Sequence, residues 1–211
     1  MPYSISRTFL PVFLLLTVFF AGSTAWGSTS PTPLFGYTEL AQEDLGDLPQ
    51  WLGVQDRHLR EDFDRSNRFL SEWLDFLASL TTRPPLEQIQ AVNAFANQKR
   101  YILDPVNYGV DDYWSIVREF LQNHGDCEDY SITKFFSLRI LGFPASDLRL
   151  VILQDTNLGI AHAVLAVYLG DDVLILDNQT RQIASHREIV HYVPLFSINE
   201  TRWWLHVPPV M

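Results

Sequence analysis

Gly125-Asp126-Cys127-Glu128-Asp129-Tyr130 is the stretch around which the chain is organised, and it contains the only cysteine of the 211-residue sequence. A polar turn precedes this stretch, and an apolar-periodic segment follows it over residues 132–140. The pattern predicts a helix with Asp126 as its N-cap and Asp129 at the third helical position, ended by Gly142. A cysteine at a helix N-terminus is favoured as the thiolate, which is the nucleophilic form, by free N–H groups and the helix dipole.

The N-terminal residues are predicted to be a secretory signal, residues 1–25. Arg7 provides the positive flank, residues 9–21 are mostly apolar, and small residues follow to Ala25. This run is shorter than the roughly 20 apolar residues that a membrane span needs. An uncleaved membrane anchor remains the alternative. Residues 26–50, which are rich in proline and glycine, are predicted to be an extended lead-in with little regular structure before a domain over residues 51–211.

The composition limits the classes of partner. The chain has 15 basic and 25 acidic residues, a formal net charge of −10, and its basic residues form no cluster. This balance does not favour nucleic acid or an anionic membrane surface. With 47% hydrophobic residues, the chain can bury one substantial core.

The order of the predicted elements indicates an α+β fold, with N-terminal helices followed by an antiparallel sheet. Apolar periodicity predicts helices over residues 59–80, 85–99 and around 114–121, before the helix at Cys127. Short β-rich runs separated by turn residues predict strands over residues 148–153, 160–168, 173–176, 189–198 and 203–205.

Two polar residues at the ends of apolar strands are candidate partners of the thiol. The carboxylates beside Cys127 oppose the thiolate by repulsion between like charges, so a cation is needed nearby. His162 interrupts one apolar run, and Asp177 closes the next. A two-residue or four-residue loop between these strands places Val164 opposite Asp177, with His162 diagonal to Asp177 on one face. A three-residue loop would place them on opposite faces.

Each of these features also has a structural interpretation. A lone thiol is often a small buried hydrophobic group, although acidic neighbours argue against that here. A strand histidine near an aspartate is often only a satisfied polar pair, and Asp126 and Asp129 could serve only as helix caps. The three features together favour a Cys-His-Asp site.

Several segments of the sequence resemble the bacterial transglutaminase-like cysteine proteases of LapG type. The resemblance is carried by the Gly125–Tyr130 block and by three further motifs, and it covers roughly residues 45–205. These motifs are Lys134-Phe135-Phe136-Ser137-Leu138-Arg139 with Leu141-Gly142, Ala161-His162-Ala163-Val164-Leu165, and Leu176-Asp177-Asn178.

The resemblance implies a papain-like, transglutaminase-core fold with Cys127 as nucleophile, His162 as base and Asp177 as orienting acid. It also implies calcium bound by carboxylates beside the nucleophile, which fall on Asp126, Glu128 and Asp129. The implied enzyme is periplasmic and cleaves the N-terminal region of a large surface adhesin, which releases cells from a biofilm. An inner-membrane receptor for cyclic-di-GMP is implied as its inhibitor.

The sequence leaves two other functions open. The same core supports other acyl-transfer enzymes, such as a transglutaminase or an amidase, which differ in what attacks the thioester. A non-catalytic binding domain is the third hypothesis, and the complete set of Cys, His and Asp argues against it.

Overall fold

The computed structural model describes residues 33–63 and 65–209. The predicted secretory signal, residues 1–25, lies outside these ranges and stays a prediction. Within them, no helix is both long and apolar enough to cross a membrane.

The described residues form helices packed on an antiparallel sheet, so the predicted α+β class is confirmed. The helices are α1 (Pro49–Leu59), α2 (Arg68–Ala78), α3 (Pro85–Ala96), α4 (Asp104–Asn107), α5 (Val117–Asn123) and α6 (Cys127–Ile140). The strands are β1 (Thr38–Gln42), β2 (Leu148–Asp155), β3 (Ile160–Leu169), β4 (Asp172–Leu176), β5 (Ala184–Ser185), β6 (Tyr192–Ile198) and β7 (Trp203–Val207).

The sheet has the order β1-β7-β6-β2-β3-β4-β5, and each neighbouring pair is antiparallel. Alternate residues of β2 and β3 belong to two separate apolar clusters, so both faces of the sheet are covered. The larger cluster joins the helices to one face. The smaller cluster contains Leu34, from the 3₁₀ turn Leu34–Gly36, packed with apolar residues of the strands and with Tyr192.

Helix α6 is the central helix of the larger cluster, and its predicted boundaries are confirmed. It begins after Asp126 at the N-cap and is followed by Gly142, which has a φ of 96°. Residues Glu128 to Leu138 are all buried, which is typical of a helix enclosed by a core. The ring of Trp51 packs edge-on against Phe135, with 5.4 Å between ring centroids. Packing on all sides fixes the position and direction of the helix that carries Cys127.

The register predicted for the β3–β4 hairpin is confirmed in its two-residue form. Leu169 faces Asp172 and Leu165 faces Leu176, which leaves Gly170 and Asp171 as the turn. Gly170 has a φ of 63°, in the left-handed region that glycine adopts without strain. Continued by one pair, this register brings Asp177 opposite Val164.

The predicted helix over residues 59–80 is wrong in its first half. Helix α1 ends at Leu59, and α2 begins only at Arg68, after Asn67. The Asn67 side chain accepts hydrogen bonds from the backbone N–H groups of Phe69 and Leu70, which makes it the N-cap of α2. The apolar pattern that suggested one helix therefore spans two helices and their connection.

For the predicted lead-in over residues 26–50, residues 26–32 lie outside the described ranges, and the prediction of little regular structure is wrong for residues 38–42 and for residues 49 and 50, which begin α1. Residues 38–42 form β1, which pairs along its whole length with β7. The Glu39 carboxylate on β1 forms an ion pair of 2.6 Å with Arg149 on β2, and both side chains are largely buried. The Arg149 guanidinium also lies 3.7 Å from the centroid of the ring of Trp204, which is on β7. Arg149 therefore contacts both β1 and the strand that pairs with it.

Candidate active site

The N-terminus of α6 opens into a cavity that His162 also lines. Cys127, His162 and Ala163 border this cavity, with Trp114 and Phe196 among the aromatic residues of its wall. The geometry therefore brings the only thiol of the chain and the predicted histidine to one solvent-connected space.

A serine one turn into α6 attaches the helix start to β3. The Ser131 hydroxyl lies 2.9 Å from the Cys127 carbonyl oxygen and 3.2 Å from the Ala163 carbonyl oxygen. Because Ala163 follows His162 in β3, this bridge holds the thiol-bearing turn against the histidine-bearing strand.

His162 and Asp177 form a buried hydrogen-bonded pair. His162 Nε2 lies 3.0 Å from Asp177 Oδ1, and the two residues are 3% and 4% exposed. A carboxylate is an acceptor, so Nε2 carries the proton of this bond and Nδ1 is the basic nitrogen of the neutral ring. The carboxylate therefore fixes both the tautomer and the orientation of the imidazole.

Asp177 is held from several directions. Its carboxylate accepts a hydrogen bond of 2.9 Å from the Gln179 backbone N–H and one of 2.5 Å from the Tyr192 hydroxyl. Its backbone carbonyl accepts a bond of 2.7 Å from the Asn97 side chain. Burial alone would raise the pKa of Asp177, but the hydrogen bonds from His162, Gln179 and Tyr192 outweigh it and lower the pKa. Asp177 is thus a carboxylate that stays charged although it is buried.

The surroundings of Cys127 favour the neutral thiol. Burial raises its pKa, and the negative charge of Glu128 raises it further; Glu128 Oε2 lies 3.3 Å from the sulfur. A backbone hydrogen bond from Ala163 acts in the opposite direction. The repulsion expected from the sequence is therefore present, and a positive charge close to these carboxylates would relieve it.

The predicted metal ligands belong to a cluster that includes two carboxylates missed from the sequence, Asp104 and Asp112. Ligand oxygens of Asp104, Asp126 and Asp129 lie within 4.8 Å of one another, and so do those of Asp104, Asp112 and Glu128. Asp104 thus joins both groups. It begins α4, eight residues after the end of α3, in a stretch for which the sequence pattern predicts neither a helix nor a strand, and no spacing to Cys127 marked it.

Two oxygens of this cluster are buried without a hydrogen-bond partner among residues 33–63 and 65–209: Asp104 Oδ1 and Asp126 Oδ1. Burial and, to a smaller extent, the charge of Asp126 raise the pKa of Asp104 to about 6. Burial and the same charge also raise the pKa of Glu128. Buried carboxylate oxygens without hydrogen-bond partners are stabilised by a cation that prefers oxygen ligands.

Asp129 differs from its neighbours because backbone amides already occupy its oxygens. Its Oδ1 accepts a bond of 2.7 Å from the Ser115 N–H, and its Oδ2 accepts one of 3.3 Å from the Asp126 N–H. Asp129 therefore closes the first turn of α6, as its position at the third helical residue predicts. It also ties the loop before α5 to that turn.

Lys134 is a basic residue buried in the core, and no pattern in the sequence predicts it there. It is fully buried on α6, and its Nζ has no hydrogen-bond partner within the described part of the chain. Burial lowers its pKa to about 7, and the charge of Asp177 acts in the opposite direction. The negative charge of Asp177 therefore offsets part of the effect of burial on the pKa of Lys134.

Comparisons with known proteins find a matching family and similar solved structures. A sequence profile of the family described as bacterial transglutaminase-like cysteine proteinases matches residues 76–209. The structure is similar to calcium-bound Legionella pneumophila LapG, with 31% identity and a TM-score of 0.61, over 73% of this chain and 86% of that chain. EGTA-treated LapG from the same organism is similar at 31% identity and a TM-score of 0.60, over 73% and 84% of the two chains. A search of curated proteins gives no match.

Proposed function

Because the chain belongs to the bacterial transglutaminase-like cysteine proteinases and is a cysteine protease, we propose that Cys127, His162 and Asp177 are its catalytic triad. The observation that carries this proposal is the buried His162–Asp177 hydrogen bond beside the cavity that holds the only thiol. A histidine held by a carboxylate and placed near a thiol is the arrangement that nucleophilic catalysis requires.

The reaction follows from the roles of these groups. His162 Nδ1 takes the proton of the Cys127 thiol, and the sulfur attacks the carbonyl carbon of the scissile peptide. The carbon–nitrogen bond breaks, the amine leaves with the proton from the imidazolium, and the acyl group stays on sulfur as a thioester. Water then attacks the thioester, gives one proton to His162, and releases the acid as the thiol reforms. Asp177 keeps its charge throughout and stabilises the imidazolium.

The first turn of α6 offers a place for the oxyanion of the tetrahedral intermediate. The N–H groups at the start of an α-helix have no partners within the helix, and the N–H of Cys127 is one of them. The Gln50 and Trp114 side chains also border the cavity, and both donate to the Asp112 carboxylate, at 3.2 and 3.1 Å. These three residues give the outer cavity a polar edge.

We propose calcium as the cofactor, held by Asp104, Asp126 and Glu128 with Asp112 and Asp129 beside them. The donors fit the ion because calcium binds carboxylate oxygens, and two buried oxygens here lack partners in the described ranges. Calcium would supply positive charge beside Cys127, which lowers the cost of its thiolate. The solved LapG structures with calcium and after EGTA treatment support this choice.

The calcium proposal is tested by thermal unfolding. We expect calcium to raise the melting temperature of the apo protein, because an ion that binds only the folded state stabilises it, and EGTA to reverse the effect. Asp104→Asn should weaken the shift strongly, whereas the exposed Asp56→Asn should leave it unchanged. An equal calcium shift in the wild type and in Asp104→Asn would contradict the assignment of Asp104.

We further propose that the enzyme acts in the periplasm on the N-terminal region of a large surface adhesin and so controls release from a biofilm. An inner-membrane receptor that senses cyclic-di-GMP would restrain it. The sequence resemblance to the LapG type supports these parts of the proposal, together with the secretory pattern of residues 1–25.

The cleavage test uses purified protein and the N-terminal region of a candidate adhesin. We expect the wild type to cut it in calcium, and Cys127→Ala to have no activity while keeping its melting temperature. Addition of a labelled primary amine distinguishes hydrolysis from transfer: a protease releases the free acid, whereas a transglutaminase incorporates the amine. Cleavage by Cys127→Ala would eliminate the proposed nucleophile.

A further inference from the structure

We infer that Tyr192 is a positioning residue of the active site, and that the N-terminal turn Leu34–Gly36 holds Tyr192 in place. This inference rests on the proposed function of Cys127, His162 and Asp177, and it adds a part of the chain far from them in sequence. No pattern in the sequence connects Tyr192 to Asp177.

The Tyr192 hydroxyl contacts the carboxylate that orients His162. It donates to Asp177 Oδ2 at 2.5 Å, while His162 bonds to Oδ1 of the same carboxylate at 3.0 Å. The tyrosine is 5% exposed, and its ring centroid lies 5.9 Å from that of His162. With the Gln179 N–H on Oδ1, the carboxylate is bonded on both oxygens and cannot rotate without losing a bond.

The ring of Tyr192 is supported by the turn before β1. Phe35 packs edge-on against it, with 6.0 Å between centroids and 83° between ring planes. The Phe35 N–H donates to His186 Nδ1 at 3.0 Å, and the rings of these two residues lie 6.2 Å apart. Leu34 is completely buried in the apolar cluster that includes Tyr192.

The backbone of this turn is strained at Phe35, the residue whose ring contacts Tyr192. Phe35 has a φ of 52° and a ψ of 20°, the left-handed conformation that a bulky residue rarely adopts. Such strain persists only where surrounding contacts fix it, and it is concentrated near functional sites. Here the strained residue places an aromatic ring against the tyrosine that holds Asp177.

The main variant is Tyr192→Phe, which removes the hydroxyl and keeps the ring. We expect kcat to fall roughly 10- to 100-fold, the loss for one hydrogen bond to a charged group, with KM nearly unchanged. The matched control is Tyr168→Phe, because the Tyr168 hydroxyl is also buried but has no hydrogen-bond partner in the described ranges. Unchanged kcat in Tyr192→Phe, or an equal loss in Tyr168→Phe, would overturn the inference.

The role of the turn is tested with Phe35→Gly, since glycine accepts the left-handed backbone and lacks the side chain that contacts Tyr192. We expect a smaller loss of kcat than in Tyr192→Phe. The double variant should be little worse than Tyr192→Phe alone, because both changes act through one hydroxyl. Fully additive losses would show that the turn does not act through Tyr192.

A substrate-free measurement separates this inference from the proposed function. In isotope-labelled protein, the imidazole resonances of His162, assigned with His162→Gln, should shift in Tyr192→Phe and stay in place in Tyr168→Phe. A shift would support the contact even if the chain cut no adhesin, in which case only the proposed function would fail. Unshifted His162 resonances in Tyr192→Phe would overturn the inference whatever the chain cleaves.

Discussion

Gly125 is the first residue of the central motif, and we predict that no larger residue is tolerated there. The reason is a lack of space for a side chain, since the backbone conformation of Gly125 does not require glycine. A Cβ added there would overlap Asp129 Oδ2 and lie 2.7 Å from Asp129 Cγ, whereas ordinary contacts begin at 3.4 Å. The Asp129 carboxylate would have to move, and that carboxylate holds the Ser115 N–H at 2.7 Å and the Asp126 N–H at 3.3 Å. Gly125→Ala should therefore weaken or break both hydrogen bonds of the Asp129 carboxyl group that close the first turn of α6.

The magnitude follows from these two bonds. A net hydrogen bond contributes about 0.5–1.5 kcal/mol, and one to a charged group about 1.5–3 kcal/mol. Burial raises the pKa of Asp129 to about 8, so we take the value at which the two ranges meet, about 1.5 kcal/mol for each bond. We expect Gly125→Ala to lower the free energy of unfolding by about 3 kcal/mol, a large share of the roughly 5–15 kcal/mol of a typical domain.

Urea unfolding followed by tryptophan fluorescence measures this loss. Gly53→Ala is the control, because a Cβ at Gly53 meets nothing within 4 Å and alanine is favoured over glycine in a helix by about 1 kcal/mol. Gly53→Ala should therefore be neutral or stabilising. If the collision is the cause, Asp129→Ala should cost much less in the Gly125→Ala background than alone. Wild-type stability of Gly125→Ala would refute the reasoning.

Two further predictions concern buried charges. The pKa of Lys134 is lowered to about 7 in the folded chain, so the folded state binds fewer protons than the unfolded state above that pH. The cost of burying Lys134 is then complete below pH 7 and fades as the pH rises toward the ordinary lysine value. Lys134→Met should therefore stabilise the protein by about 1–4 kcal/mol at pH 6 and by less at pH 9, and an equal gain at both would contradict this. Glu39→Ala leaves Arg149, which is 2% exposed, without its ion-pair partner and should cost about 3–5 kcal/mol in urea unfolding. A neutral effect would contradict the contribution assigned to this ion pair.

The sequence predicted the parts of the site that depend on local pattern and strand register. The start of α6 could be inferred from Asp126 and its end from Gly142, because capping residues act over a few positions. The proximity of His162 and Asp177 followed from a hairpin whose turn sets its own register, and the structure has the predicted two-residue turn.

The parts that depend on long-range packing could not be predicted in this way. Tyr192 meets Asp177 only because β6 pairs with β2 while Asp177 follows β4, a relation that no local periodicity encodes. Asp104 reaches the carboxylate cluster from a connection that lacks periodicity, so its role had no signal in spacing. Strand β1 is short and mostly exposed, so the alternation that marks a half-buried strand is weak there.

Capture of the covalent intermediate tests the central claim most directly. Wild-type protein is mixed with the adhesin region, and the reaction is quenched in acid within one turnover. Mass spectrometry of the intact protein should then show the N-terminal fragment of the substrate bound to Cys127. His162→Ala should form this adduct far more slowly, and Cys127→Ala should form none. Cleavage that proceeds at the wild-type rate in Cys127→Ala, with no adduct in any sample, would contradict the assignment of Cys127 as the nucleophile.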